Sequence, residues 1–217
     1  MTTTNSARLG LWLSLLLSGS LAAVSAAAQE GAAAATGSVE AGRTKVVICG
    51  ACHGPDGNSV TPDWPMLAGQ HASYTVRQLR AFKTGERTDV TMKPFADMLS
   101  DQDMLDVAAY FEAQTPTPKG ADPALVGLGQ QIYRGGVPAR GVAACIACHG
   151  PDGSGNPLAA YPRVSSQHSA YVTKQLNAYA SGDRRSDVDL NQMMRNVAGQ
   201  LFEDEIRALA SYVQGLN

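Results

Sequence analysis

Two stretches, ICGACHGPDG at 48–57 and CIACHGPDG at 145–153, hold the only four cysteines of the 217-residue chain. From the first cysteine onward, eight of nine positions agree. Cys49, Cys52 and His53, and 96 residues later Cys145, Cys148 and His149, repeat the pattern Cys-x-x-Cys-His. Two thiols at that spacing can add across the two vinyl groups of a haem. The adjoining histidine then falls beneath the iron as its proximal ligand, so the spacing reads as c-type haem attachment, one haem c per motif. The main rival is one zinc site made of two Cys-x-x-Cys knuckles. Zinc ribbons space their knuckles by about 15–20 residues, whereas 92 residues separate Cys52 from Cys145. Zinc gives the two histidines no task, and neither does a pair of thiol-redox or disulfide sites.

The sixth ligand decides whether such an iron carries electrons or does chemistry. Methionine opposite histidine gives a carrier of raised potential, because a soft thioether favours ferrous iron. Met92 and Met194 stand in the same register, each eight residues before the start of a last helix, and are the candidates. Register favours Met194 over the adjoining Met193. Met66, Met98 and Met104 have no methionine partner in the second copy and read as core filling. His71 and His168 also recur in register. They read either as alternative axial ligands or as groups that cap or hydrogen-bond at a helix start, and the ligand reading would leave the paired methionines unexplained. Pro65 and Pro162 match too. Each can offer its carbonyl to the outer nitrogen of the proximal histidine, or simply form a rigid turn.

The elements that must position these groups come as a tandem repeat. AGQHASYTVRQLRAFKTGER (68–87) aligns with SSQHSAYVTKQLNAYASGDR (165–184), and MKPFADMLSDQDMLDVAAYF (92–111) with MRNVAGQLFEDEIRALASYV (194–213). The second copy has gained residues, chiefly GGVPARGVA (135–143). Each copy predicts a helix into Cys-x-x-Cys-His, a Gly/Pro-rich loop, a helix, a methionine-bearing loop and a last helix. Gly85 and Gly182 are placed to end the middle helices. Ser100 can cap the last helix of copy one, with Asp101 and Asp103 in its first turn. Leu105, Ala108 and Ala109 mark its apolar face. Phe202 stands where the corresponding cap should be. No stretch alternates with period two, so the fold is all-α in two similar halves.

Residues 1–28 read as a cleavable signal peptide: Arg8, then the apolar run LGLWLSLLL, then small residues that allow cleavage after Ala26 or Ala28; against the rival, an uncleaved membrane anchor, Ser14, Ser18, Gly19 and Ser20 interrupt the run. Residues 29–37 read as a flexible lead-in. AQTPTPKGADP (113–123), with three prolines in eleven residues, reads as an extended connector. The domains expected are 38–114 and 124–217, joined by a linker at 115–123. A net charge of −2 and a pI near 6.1 argue against nucleic acid as a partner. The halves differ: residues 38–114 hold 7 Lys+Arg against 10 Asp+Glu, a net −3, and residues 124–217 hold 8 against 7, a net +1. On that basis either the two ends dock different partners, with Arg184, Arg185 and Arg195 beside the second methionine segment steering an acidic one, or the asymmetry is drift without function.

EAGRTKVVICGACHGPDG, PMLAGQHASYTVRQL, Met92 followed by LSDQD, the ADPAL linker and a second round ending in SYVQGLN together resemble the dihaem cytochromes c4. The resemblance covers about residues 38–217. It implies two class I cytochrome c domains related by an approximate two-fold axis, with His53 and Met92 on haem one and His149 and Met194 on haem two. It implies a periplasmic carrier, sometimes loosely membrane-associated, that passes electrons from a quinol-oxidising bc-type complex toward terminal oxidases, with no small-molecule substrate. The rivals are a dihaem peroxidase, in which one iron opens a coordination site, and a haem-bearing electron-entry subunit of a dehydrogenase or oxidase.

Overall fold

Ten α-helices, five in each copy of the repeat, make up the framework of residues 36–216, which are the residues this computed structural model describes. Copy one contributes α1 (Val39–Lys45), α2 (Val47–His53), α3 (Ala72–Thr84), α4 (Met92–Met98) and α5 (Asp101–Glu112). Copy two contributes α6 (Pro123–Gly135), α7 (Ile146–His149), α8 (Ser169–Ser181), α9 (Met193–Ala198) and α10 (Glu203–Gln214). Among these residues the only strand-like pairings are three isolated bridges. The signal peptide expected over 1–28 lies outside the described residues. Of the lead-in, only Thr36 and Gly37 are described, and they are docked rather than free. The Thr36 carbonyl accepts from Gln102 at 3.1 Å, and a Cβ on Gly37 would meet the Leu105 carbonyl.

In each half the first helix crosses the last at a glycine. A Cβ on Gly42 would lie 2.2 Å from the Asp106 carbonyl oxygen, and one on Gly129 would lie 2.3 Å from that of Ala208. Gly42 precedes Cys49 by seven residues and Gly129 precedes Cys145 by sixteen. The difference equals the nine residues of GGVPARGVA. That insertion therefore lies between the crossing and the cysteines, and the helix pair itself is unchanged.

The expected caps form. Gly85 and Gly182 both adopt φ +82°, a left-handed conformation that costs glycine little. Ser100 and Asp103 make a reciprocal capping box at the start of α5. At Phe202, which has no side-chain acceptor, the Glu205 carboxylate instead accepts from the Phe202 N–H at 2.8 Å. Arg140 then holds Glu205 at 2.5 Å and lies 4.0 Å from the Phe202 ring centroid. The insertion supplies that arginine. Lys45 serves the matching acid in copy one, 2.5 Å from Asp103.

Three expectations are corrected. The methionine-bearing segments are the short helices α4 and α9 rather than loops. Carboxylates seat both: Asp89 accepts from the Thr91 and Met92 N–H groups, and Asp187 from that of Arg195. The buried apolar residues of α5 are Met104, Val107, Ala108, Tyr110 and Phe111, while Leu105 and Ala109 are only half-buried, on a flank that α1 and the chain at Gly37 cover incompletely. Met104 and Met66 are core, at 0% and 5% exposure, but Met98 is 65% exposed at the end of α4, where only Ala96 is buried.

The halves meet in a seam with two-fold character. The Gln167 side chain accepts from the Met66 N–H at 2.9 Å and donates to the Met66 carbonyl at 3.0 Å. Gln70 does the same to Arg163, at 3.0 and 2.9 Å. His71 and His168, candidate ligands by register, each direct Nε2 at a carbonyl of the opposite half, Ser154 and Ser59, both at 2.9 Å. A carbonyl only accepts, so those nitrogens carry hydrogens and offer no lone pair. Arg184 is only 3% exposed within this seam, and Arg195 is held 2.8 Å from the buried Asp187. Of the three arginines expected to steer a partner, only Arg185 is exposed, so the set is not a surface patch.

Candidate functional site

One turn of helix places the chemistry in each half. Residues three and four apart share a face. Cys49, Cys52 and His53 therefore project together from α2, as do Cys145, Cys148 and His149 around α7. Gly54 and Gly150, at φ +79° and +78°, end these helices directly after the histidines and turn the chain away. All four cysteines are free and half-buried. Burial raises the Cys49 thiol and pushes that of Cys145 up to about 11, which keeps these sulfurs protonated rather than reactive as thiolates.

The histidines are buried, at 6% and 8% exposure. Nδ1 of His53 lies 3.0 Å from the Pro65 carbonyl, and Nδ1 of His149 lies 2.9 Å from that of Pro162. Both prolines thus offer their carbonyls to the outer nitrogens of the histidines. Because the carbonyl accepts, Nδ1 must hold the proton, which leaves the Nε2 lone pair free for a metal. Burial also lowers both imidazoles from their ordinary value, the Pro carbonyls opposing it in part, and so favours the neutral, metal-binding form.

Both motifs open into one cavity of about 500 Å³ that crosses the seam. Its wall includes Met92 in copy one and both Met193 and Met194 in copy two. His71 and His168 do not line it. The polar part of the wall includes Tyr74, Gln78 and Arg87 with their repeat partners Tyr171, Gln175 and Arg184, a role in the cavity that sequence reasoning missed. The equal spacing of these pairs within the aligned stretches 68–87 and 165–184 was the available signal. The Tyr74 phenol is buried, which works against its ionisation, but Arg184 and Arg87 outweigh this and hold it below its ordinary value.

The donor set and the enclosure fit haem c. Each half supplies two thiols, a neutral imidazole with a free nitrogen and a soft thioether on one cavity wall. The Gln78 Nε2, buried and without a partner among the described residues, is left to bond a polar group within the cavity. Two such motifs imply two haem c groups.

Comparison with known proteins agrees. The Cytochrome c family pattern matches residues 39–114 and again 128–217. Cytochrome c4 of Azotobacter vinelandii is 47% identical over 196 residues, covering 86% of this chain and 93% of that protein. The crystal structure of reduced recombinant cytochrome c4 from Pseudomonas stutzeri superposes with a TM-score of 0.81 at 45% identity, over 84% of this chain and all of that one. The thiosulfate dehydrogenase electron acceptor of Stutzerimonas stutzeri is 37% identical over 171 residues, 76% of this chain and 77% of that protein.

Proposed function

The chain belongs to the cytochrome c4 family and is a dihaem electron carrier; from that premise we propose that His53 with Met92 would hold the iron of one haem, and His149 with Met194 that of the other. We further infer that it works in the periplasm between a quinol-oxidising bc-type complex and terminal oxidases. The observation that carries the ligand assignment is the repeat of one arrangement: a histidine pinned through Nδ1 to a proline carbonyl, and a methionine of matching register, on the wall of a shared cavity.

One-electron ferric/ferrous exchange is the chemistry that haem c supplies when bound. The protein's part is to keep the coordination sphere from rearranging. Cys49 and Cys52, with Cys145 and Cys148, would tether the macrocycles covalently. The Pro65 and Pro162 carbonyls fix the imidazole planes, and Asp89 and Asp187 seat the helices that bear the methionines. Thioether ligation and apolar enclosure both favour ferrous iron and raise the potential. No helix among the described residues is long and apolar enough to cross a membrane.

Expression in a host that matures c-type haem tests the assignment by optical spectra and a haem count. Two low-spin haems are expected, each with the ferric methionine–iron charge-transfer band and neither binding carbon monoxide when reduced. Met92→Ala and Met194→Ala should each abolish one band, and Met193→Leu neither. Carbon monoxide binding to the unmodified protein would instead mean an open iron. The similarity to a thiosulfate dehydrogenase electron acceptor supports a second partner reading, acceptance of electrons from a dehydrogenase. Reduction rates with a thiosulfate dehydrogenase and with a quinol-fed bc complex separate the two.

A further inference from the structure

The mouths of the two haem sites are built differently. Ile48, Trp64 and Met98 line the cavity and are also 54%, 39% and 65% exposed, which places them at its edge. Val47, beside Ile48, is 77% exposed. The same repeat positions in copy two hold Ala144, Tyr161 and Gln200, and Ala143, the last residue of the insertion, precedes Ala144. Copy two has exposed apolar side chains of its own in Leu158, Val188 and Phe202, but none of them lines the cavity.

Charge follows the same division. Asp63 and Asp97, both exposed, adjoin Trp64 and Met98, and their counterparts are Ala160 and Gly199. Asp97 takes up Lys93 at 3.0 Å, while Asp63 has no cation within 4.0 Å among the described residues. The copy-one half carries a net −3, against +1 for copy two.

We propose that the mouth of the copy-one site, centred on Ile48, Trp64 and Met98, is the docking face for a redox protein whose contact surface is apolar at its centre and basic at its rim. This rests on the carrier reading. Exposed apolar clusters rimmed by polar groups mark interaction sites, and a small, weakly held interface suits electron transfer. The apolar trio supplies the contact area, and the acids beside it select and orient a basic partner. A second copy of this chain would present the same acids and be repelled, as would an anionic lipid surface. The copy-two mouth, where no exposed large apolar side chain lines the cavity, leaves haem two for exchange through the seam or with a partner of other chemistry.

The test uses the loaded full-length mature protein, ¹⁵N-labelled, with a basic single-haem cytochrome c as the probe at low ionic strength. Amide shifts are expected to concentrate at residues 47–48, 63–64 and 97–98. Ile48→Ala with Met98→Gln, the repeat's own residues, should weaken binding about tenfold, and Val47→Ala, at an exposed residue that does not line the cavity, should weaken it more mildly while leaving haem count and spectra unchanged. The reverse pair, Ala144→Ile with Gln200→Met, should create shifts around the second mouth. Shifts centred on 143–144 and 160–161 in the unmodified protein, undiminished binding by the first pair, absence of binding, or self-association through this face without the probe would each overturn the proposal. Haem count and spectra of the same sample report on the carrier reading separately.

Discussion

Arg87 and Arg184 face each other across the seam, their backbones joined in an isolated antiparallel bridge, and each guanidinium serves both halves. Arg87 donates to Gln78 of its own half and to Tyr171 and Gln175 of the other. Arg184 donates to Gln175 and Ser186 of its own half and to Tyr74 and Gln78 of the other. They are 9% and 3% exposed, and no carboxylate lies within 4.0 Å of either among the described residues. Two buried positive charges thus stand in the wall of the cavity that both haem sites share.

A nearby cation disfavours the more positive ferric state, so removing one lowers a reduction potential. Arg87→Gln should therefore lower the potentials of both haems, on the order of 1–2 kcal/mol for a partly buried charge. Arg87→Lys, which keeps the charge, should restore most of the shift. A spectroelectrochemical titration that resolves the two haems reads this directly. A change confined to haem one would show that the halves are electrostatically separate.

Gln70→Ala would leave the N–H and carbonyl of Arg163 without their side-chain partner, and Gln167→Ala would do the same to Met66. Each is expected to cost about 2–3 kcal/mol. The pair together should split one cooperative urea transition of the loaded protein into two, followed by circular dichroism. A single unshifted transition would mean that the seam is held elsewhere.

Asp187, 2% exposed, accepts from the N–H and the Nε of Arg195 and so anchors α9 beside Met194. Asp187→Ala should cost about 2–3 kcal/mol and make the haem-two methionine–iron band disappear at a lower temperature. The corresponding change at Asp89, whose side chain is 30% exposed, should be milder. Equal melting of the two bands in both variants would exclude this role.

Lys45 bonds Asp103 and Asp106 and, with Ser100, Ser38 and Gln102, holds both carboxyls below the usual carboxylate range. A lowered folded-state value means stability that is present above about pH 4, the unfolded value, and lost as the pH falls through the folded values. The Lys45 amine is raised by the same contacts, so its share is lost only at alkaline pH, above its ordinary value. Acid unfolding followed by circular dichroism should therefore begin below about pH 4. Lys45→Met should lower stability at neutral pH and flatten its dependence on acid.

The cysteine and histidine positions, the all-α class, the repeat and the caps at Gly85, Gly182 and Ser100 were legible in the sequence. These are matters of covalent spacing and of one or two helical turns, which neighbouring residues decide among themselves. The Pro65 and Pro162 carbonyls, twelve and thirteen residues from their histidines, were near the limit of that reach. Tertiary structure alone showed that His71 and His168 clasp the opposite half, that Arg184 is buried, that Arg140 from the insertion completes the cap at Phe202, and that Met98 stands at a cavity mouth. Most of those contacts join residues 65 to 110 positions apart. How two folded halves meet leaves no period along the chain. A register match can say that two residues are equivalent, but not which of them faces the cavity, the seam or the solvent.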